Sequence, residues 1–98
     1  MTISKNLNGS ALTIALEGRL DTKTAPELEK ELNADYEGID ELTLDLEKLE
    51  YISSAGLRVL LAAQKTMSAK GGMKVKNANE LVQEVFEVTG FTDILTIE

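Results

Sequence analysis

Two adjacent hydroxyl side chains, Ser53 and Ser54, have the residue types and the setting in which a small protein could carry chemistry. They follow an alternating apolar segment, residues 42–46, and the apolar pair Tyr51-Ile52, and they precede Ala55, Gly56 and a leucine-rich run. A hydroxyl at the point where a loop turns into a helix can cap that helix, or it can stay exposed for another enzyme to modify. The residues alone leave both roles open.

Catalysis is disfavoured because the chain contains neither histidine nor cysteine. Their absence excludes histidine metal sites, a Ser-His-Asp triad, a phosphohistidine relay, disulfides and cysteine nucleophiles. No second group is placed to activate Ser54, and no glycine-rich phosphate-binding motif occurs, so a small enzyme or nucleotide-binding protein is the weakest hypothesis. Asp45 and Glu47 could bind a cation, but a half-exposed sheet edge explains them better. We therefore expect no enzymatic activity, no cofactor and no metal.

The 98 residues carry a net charge of −7 and predict one domain, residues 1–98. Between Glu27 and Glu50 ten acidic residues face two lysines. Such a surface disfavours nucleic acid and anionic lipid and suits a basic protein partner. No run approaches the ~20 apolar residues that span a bilayer, and the N-terminus lacks a secretory signal. We expect a cytoplasmic monomer with no direct membrane insertion.

Strand patterns precede and separate the predicted helices. Ile3–Leu7 and Leu12–Leu16 flank Asn8-Gly9, a strong hairpin signal, and the pattern breaks at Gly18 to Asp21. Further strands are predicted at Glu41–Leu46 and Met73–Val75.

The signals for helices, like those for the strands, lie in short segments of the sequence. A capping box from Thr24 to Glu27, with Pro26 in the first turn, predicts a first helix that ends within residues 33–38. A second helix is predicted from about Ser54 to Ala69. Asn79 caps a third helix that ends at Gly90, with Leu81, Val82, Val85 and Phe86 as its inner stripe.

The element order β-β-α-β-α-β-α implies an α/β fold with a mixed sheet of about four strands. An N-terminal hairpin opens the sheet, right-handed crossovers join the later strands, and the helices pack mainly on one face. The tail from Phe91 to Ile97 fits either a short helix or a strand.

With these elements placed, the chain resembles the STAS domain in its stand-alone bacterial form, the anti-sigma factor antagonist. The resemblance rests on the hairpin, the Gly18-Arg19-Leu20-Asp21 turn, the strand TLDL, the loop LEYISSAGLRVLL, the Gly-Gly pair before the fourth strand and the Val-Thr-Gly-Phe of residues 88–91. Each feature is weak alone, and their order and spacing are specific together.

The resemblance implies a partner switch. In this family an anti-sigma factor that is also a serine kinase phosphorylates the first serine of a D-S-[STA]-G-[LI] loop, and a PP2C-type phosphatase reverses the change. The unphosphorylated antagonist binds the kinase and releases the sigma factor. Aligned on Gly56 and Leu57, the phosphorylated position is Ser54, and Ser53 stands where the family has aspartate. The implied partner-binding residues are Asp21, Thr22, Thr24, Ser53, Ser54, Ala55, Gly56, Leu57 and Arg58.

Physical chemistry agrees with a switch at Ser54. A phosphate at a helix N-terminus meets free N–H groups and the positive end of the helix dipole, so we expect the modified domain to stay folded. Alternatives remain: Ser53 as cap or phosphate neighbour, Asp21 to Thr24 as a cap of the first helix, and Arg58 as a solubilising side chain. A transporter-docked STAS subunit that needs no phosphorylation is the second hypothesis for the whole chain.

Overall fold

An antiparallel hairpin opens the structure, a computed structural model that describes residues 1–98. Strand β1, Thr2–Asn8, pairs with β2, Ala11–Leu20, and Gly9 takes a left-handed φ of 65° at the turn between them. A glycine adopts this conformation without the steric cost that a side chain would bring. The predicted hairpin is confirmed, but Asn8 belongs to β1 and pairs with Ala11, so the turn consists of Gly9 and Ser10 rather than Asn8 and Gly9.

Two parallel crossovers follow the hairpin. Helix α1, Ala25–Asp35, leads from β2 to the parallel strand β3, Glu41–Ile52. Helix α2, Ser54–Ser68, leads from β3 to β4, Met73–Lys76, which is also parallel to its neighbour. The sheet order is β1-β2-β3-β4, so the predicted mixed sheet of four strands is confirmed.

The C-terminal residues pack on β3 and β4. Helix α3, Glu80–Val88, begins at the cap Asn79, as predicted, and a 3-10 turn follows at Phe91–Asp93. Ile97 then forms an isolated parallel bridge with Val75 of β4. The tail therefore contains both a helical turn and a strand-like contact.

One hydrophobic cluster of 24 buried residues holds the helices against one face of the sheet. Alternate residues of the two central strands enter it, while Thr13, Ala15, Thr43 and Asp45 point to the other face and are half-buried. Met67 and Met73 are buried in the cluster. Helices α1 and α2 contact each other and bury their apolar residues in this one cluster, so they lie on the same side of the sheet, as the sequence predicted.

Several boundaries differ from prediction. Strand β2 continues through Gly18 to Leu20, and β3 continues to Ile52 rather than ending at Leu46. The pairing of β2 with β3 shifts register twice, between Ala15 and Glu17 and between Gly18 and Arg19, yet it continues to Leu20 and Ile52.

Helix faces also differ in detail. Leu81, predicted on the inner stripe of α3, is 48% exposed, while Val82 and Phe86 are buried. In α2, Leu61 and Gln64 are half-buried at the margin of the face that packs on the sheet. No helix of the structure combines the length and the apolar character needed to cross a bilayer.

Candidate functional site

The candidate site lies where β2 and β3 end together. Leu20 and Ile52 are paired neighbours at the carboxyl ends of these parallel strands. The backbone N–H of Ser53 donates a 2.9 Å hydrogen bond to the carbonyl oxygen of Leu20. The loops that carry Asp21 to Thr24 and Ser53 to Ser54 therefore leave the sheet side by side, at the carboxyl ends of these strands. Binding residues commonly lie at this end of parallel strands.

The two serines divide the two roles that the sequence left open. Ser53 is the N-cap of α2, in extended backbone, and its Oγ accepts a long 3.5 Å hydrogen bond from the N–H of Gly56. Ser54 is the first residue of the helix, its side chain is exposed, and it takes part in none of the side-chain hydrogen bonds. One hydroxyl is thus used for the cap, and the other is accessible.

Gly56 permits close packing between α2 and the strand ends. A Cβ at this position would lie 2.7 Å from Cγ of Leu20 and 2.9 Å from Cγ1 of Ile52. Gly56 and Leu57 are both buried, so they shape the site from within, while Ala55 is half-buried. The helix start carrying Ser54 is therefore seated directly on the strand ends.

The Asp21–Thr24 turn is held by its own side chains. Oδ1 of Asp21 accepts hydrogen bonds from the N–H of Lys23 (3.0 Å) and the N–H of Thr24 (3.2 Å). Oγ1 of Thr24 accepts from the N–H of Asp21 (2.8 Å) and donates to the carbonyl of Arg19 (2.8 Å). The hydrogen bond from the Thr24 N–H is the main cause that lowers the pKa of the Asp21 carboxyl.

The predicted capping box at Thr24 is wrong. Thr24 occupies the N-cap position of α1, but its side chain makes no capping hydrogen bond. Its hydroxyl is committed to Asp21 and Arg19 instead, so it closes the turn. The backbone of the turn caps the helix: the N–H of Ala25 donates to the carbonyl of Asp21 at 2.8 Å.

A shallow groove of about 350 Å³ separates the beginnings of α1 and α2. Thr22 lines it from the Asp21–Thr24 turn, and Ala55 and Arg58 line it from α2, so three of the predicted site residues share one surface. The full lining is Thr22, Ala25, Pro26, Glu29, Ala55, Arg58 and Val59. The structure thereby brings the two predicted segments together beside Ser54.

The start of α2 presents positive charge. The N–H groups of Ser54 and Ala55 have no intrahelical partner, because the first N–H groups of a helix precede its hydrogen-bond ladder. The first turn holds no acidic residue. Arg58 is exposed, lies four residues after Ser54 on the same helix face and has no carboxylate partner. An anion on Ser54 would find both dipole and guanidinium nearby.

Sequence reasoning did not assign a role to Arg19 and Tyr51 at the edge of the site. These residues are paired neighbours at the ends of β2 and β3, and the Arg19 guanidinium lies 4.5 Å from the centre of the Tyr51 ring. Nε of Arg19 is 3.9 Å from Oδ2 of Asp21. The pairing follows from the parallel register, which the sequence pattern beyond Leu46 did not reveal.

Asp45 and Glu47 do not form part of a cation-binding cluster, since no group of three or more suitable side chains occurs in the structure. Oδ1 of Asp45 instead accepts hydrogen bonds from Asn77 and from the N–H of Glu47, both 3.1 Å long. Burial opposes ionisation of Asp45, but these bonds and Lys76 outweigh it and lower its pKa.

Comparison with known proteins shows the family to which the chain is similar. The family model described as Mlab, STAS domain matches residues 3–96. The putative anti-sigma factor antagonist BtrV of Bordetella bronchiseptica is 40% identical over 88% of this chain and 76% of its own length. The anti-sigma-B factor antagonist of Bacillus subtilis is 30% identical over 92% of this chain and 84% of its own length.

Solved structures show the same fold. The anti-sigma factor antagonist SpoIIAA in its unphosphorylated form superposes with a TM-score of 0.85 at 17% identity, covering 99% of this chain and 88% of SpoIIAA. This similarity extends from the hairpin to the C-terminal turn, so the strand ends and the helix start described above fall within the shared architecture. The chain therefore belongs to the STAS domain family, among the anti-sigma factor antagonists.

Proposed function

We propose that this protein binds an anti-sigma factor kinase while Ser54 is unphosphorylated, so that the sigma factor is released, and that phosphorylation of Ser54 ends the binding. One observation carries the proposal: of two adjacent serines at the start of α2, Ser53 is occupied by the cap and Ser54 is exposed without a hydrogen bond. Its relatives bear the name of regulators that oppose an anti-sigma factor.

The partner surface is the region around Ser54. It comprises the Asp21–Thr24 turn, the groove between the starts of α1 and α2, and the exposed Arg58. Gly56 and Leu57 support this surface from below because they are buried. The turn and the helix start leave the same sheet edge, so a partner that contacts Ser54 also reaches Thr22 across the groove.

Phosphorylation switches affinity without unfolding the domain. The added charge of about −1.5 to −2 is favourable at a helix N-terminus, where it meets the free N–H groups of Ser54 and Ala55. At the centre of an interface the same charge must lose its water and face the partner's groups. Disruption of buried interface charges typically costs about 2–5 kcal/mol, which weakens a complex about 30- to 5,000-fold.

Ser53 stands in the position where the family has an aspartate. In this chain the side chain at that position caps α2 and brings no negative charge next to Ser54. A kinase that phosphorylates Ser54 therefore recognises it without an adjacent carboxylate, through the groove between the starts of α1 and α2. A PP2C-type phosphatase reverses the modification.

The test is binding between this protein and the anti-sigma factor kinase of its host, measured by isothermal titration calorimetry. We expect the wild type and Ser54→Ala to bind and Ser54→Asp to bind at least about 30-fold more weakly. Ser10→Asp is the matched control. It adds the same charge in the hairpin turn, at the other end of β2 from the Asp21–Thr24 turn, and should leave affinity unchanged.

Mass spectrometry of the protein from growing and stressed cells completes the test. A phosphate on Ser54 whose occupancy changes between conditions is the expected result. An unmodified Ser54 under every condition, with full binding by Ser54→Asp, would overturn the proposal in favour of a constitutive docking subunit, for instance one attached to a membrane transporter.

A further inference from the structure

Helix α3 carries a partly exposed apolar stripe, whose middle residue, Val85, also packs against the hydrophobic cluster. Leu81 is 48% exposed and Val88 is 81% exposed, and Val85 between them is half-buried. The spacing of these residues, four and then three positions, places them along one line of the helix. Ile94, 44% exposed, lies in the segment that follows the helix. Most large exposed hydrophobic side chains of the chain thus belong to this short region.

An acidic stripe runs beside the apolar one. Glu80, Glu84 and Glu87 have the same spacing of four and three positions, so they line up along the adjacent side of the helix. All three are exposed, and none of the ion pairs of the structure includes them. The helix therefore presents hydrophobic surface and uncompensated negative charge side by side.

This arrangement weakens the isolated helix. Like charges three or four residues apart repel, and Glu87 lies near the carboxyl end, where the dipole disfavours a negative charge. The helix has no basic residue in its last turn to offset this. A partner that covers the stripe with apolar groups and places cations beside the glutamates would relieve each of these costs.

We propose that the outer face of α3 is a second docking surface, which takes a basic amphipathic helix or segment of a partner protein. Apolar side chains of that segment pack on Leu81, Val85 and Val88, and its lysines or arginines pair with the three glutamates. The surface is separate from the Ser54 site, since no residue of α3 lines the groove there.

Charge selects this occupant over the alternatives. A second copy docking through the same helix would bring two acidic stripes together, and the whole chain is already at −7. Nucleic acid and anionic lipid are repelled for the same reason. A basic protein segment matches both stripes, so it is the occupant to which the structure points.

The test uses a synthetic helix of leucine on one face and lysine on the other, about three turns long, as the probe. Added to ¹⁵N-labelled protein, it should shift the backbone amide signals of residues 80–94 and leave the start of α2 unaffected. A matched peptide with glutamate in place of lysine should not bind. Shifts centred elsewhere, or equal binding of the two peptides, would overturn the proposal.

Two double variants separate the contributions of the stripes. Leu81→Ser with Val88→Ser, and Glu84→Gln with Glu87→Gln, should each weaken binding of the lysine peptide about tenfold in fluorescence anisotropy. All four side chains are exposed, so the fold should persist, as circular dichroism will show. Controls are Leu7→Ser, also an exposed hydrophobic residue, and Glu37→Gln with Glu50→Gln. Full binding by both double variants would contradict the proposal.

The outcome does not depend on the switch at Ser54. Ser54→Asp should bind the lysine peptide as the wild type does, because the substitution lies on another helix. If Ser54→Asp loses the peptide, the probe binds at the α2 site and the second docking surface is refuted. Sedimentation of the free protein provides a further check: a dimer that Val88→Ser dissociates would show that a second copy covers α3.

Discussion

The backbone N–H of Ser53 donates a 2.9 Å hydrogen bond to the carbonyl oxygen of Leu20, and this contact joins the end of β2 to the start of α2. The cap residue of the helix is thereby fixed to the strand that precedes the Asp21 turn. Ser54 consequently projects from a rigid element rather than from a free loop. The proposed phosphorylation of Ser54 can therefore act on a partner through charge alone, because the position of the serine is already fixed.

Replacing Gly56 with alanine should destabilise the protein. Its Cβ would lie 2.7 Å from Cγ of Leu20 and 3.0 Å from the Leu20 carbonyl oxygen, so the helix start must shift. We expect a loss of about 1–3 kcal/mol in the free energy of unfolding. This exceeds the gain of about 0.5–1 kcal/mol that alanine brings to a helix.

Urea denaturation measures the difference, and Gly38→Ala is the control. Gly38 has open space where a Cβ would stand, so this substitution should be neutral or mildly stabilising. A Gly56→Ala protein as stable as the wild type would contradict the close packing of α2 on the strand ends.

The two helix caps should differ in strength. Ser53 Oγ accepts from the Gly56 N–H at 3.5 Å, a long bond, whereas Asn79 Oδ1 accepts from the Val82 N–H at 2.8 Å. The Asn79 amide also donates to the carbonyl of Leu49 at 2.9 Å. We expect Ser53→Ala to cost about 0.5 kcal/mol and Asn79→Ala about 1–2 kcal/mol. Thermal and urea unfolding of both variants test the order, and a larger loss for Ser53→Ala would refute it.

Ser54→Asp should leave the fold intact and raise its stability by about 0.3–1 kcal/mol at low ionic strength, because the charge lies at the positive end of the α2 dipole. Ala69→Asp, at the other end of the same helix, is the matched control and should lower stability. Added salt should shrink both effects. A destabilised Ser54→Asp protein would mean that the phosphate acts by unfolding the site, and the charge mechanism would fail.

The local signals of the sequence predicted the elements that surround the site. Gly9 marks the hairpin because few other residues suit the left-handed φ that it takes in the turn, and Asn79 marks α3 because its side chain replaces a missing backbone acceptor. Both signals depend on neighbours within a few residues, which a single sequence displays. The cap of α2 is local in the same way, because Ser53 Oγ accepts from the N–H of Gly56, three residues later.

Contacts between distant segments could not be predicted in this way. The pairing of Arg19 with Tyr51 depends on a parallel register that shifts after Ala15 and again after Gly18. Thr24 has the residue type of a cap, but competition from the Arg19 carbonyl and the Asp21 N–H decides where its hydroxyl points. Both outcomes are set by how β2 and β3 end, which periodicity does not encode.

The Asp21 turn should make the protein sensitive to acid. The N–H of Thr24, and after it the N–H of Lys23, stabilise the Asp21 carboxylate and lower its pKa. A group whose pKa is lower in the folded state contributes stability above its unfolded pKa and loses it as the pH falls through the folded value. NMR titration of the carboxyl carbon should therefore place Asp21 below the ordinary range of an aspartate. As the pH falls from the unfolded to the folded pKa of Asp21, the free energy of unfolding should decrease less for Asp21→Asn than for the wild type, because asparagine does not titrate. A parallel fall in both proteins would show that these backbone hydrogen bonds do not favour the charged form.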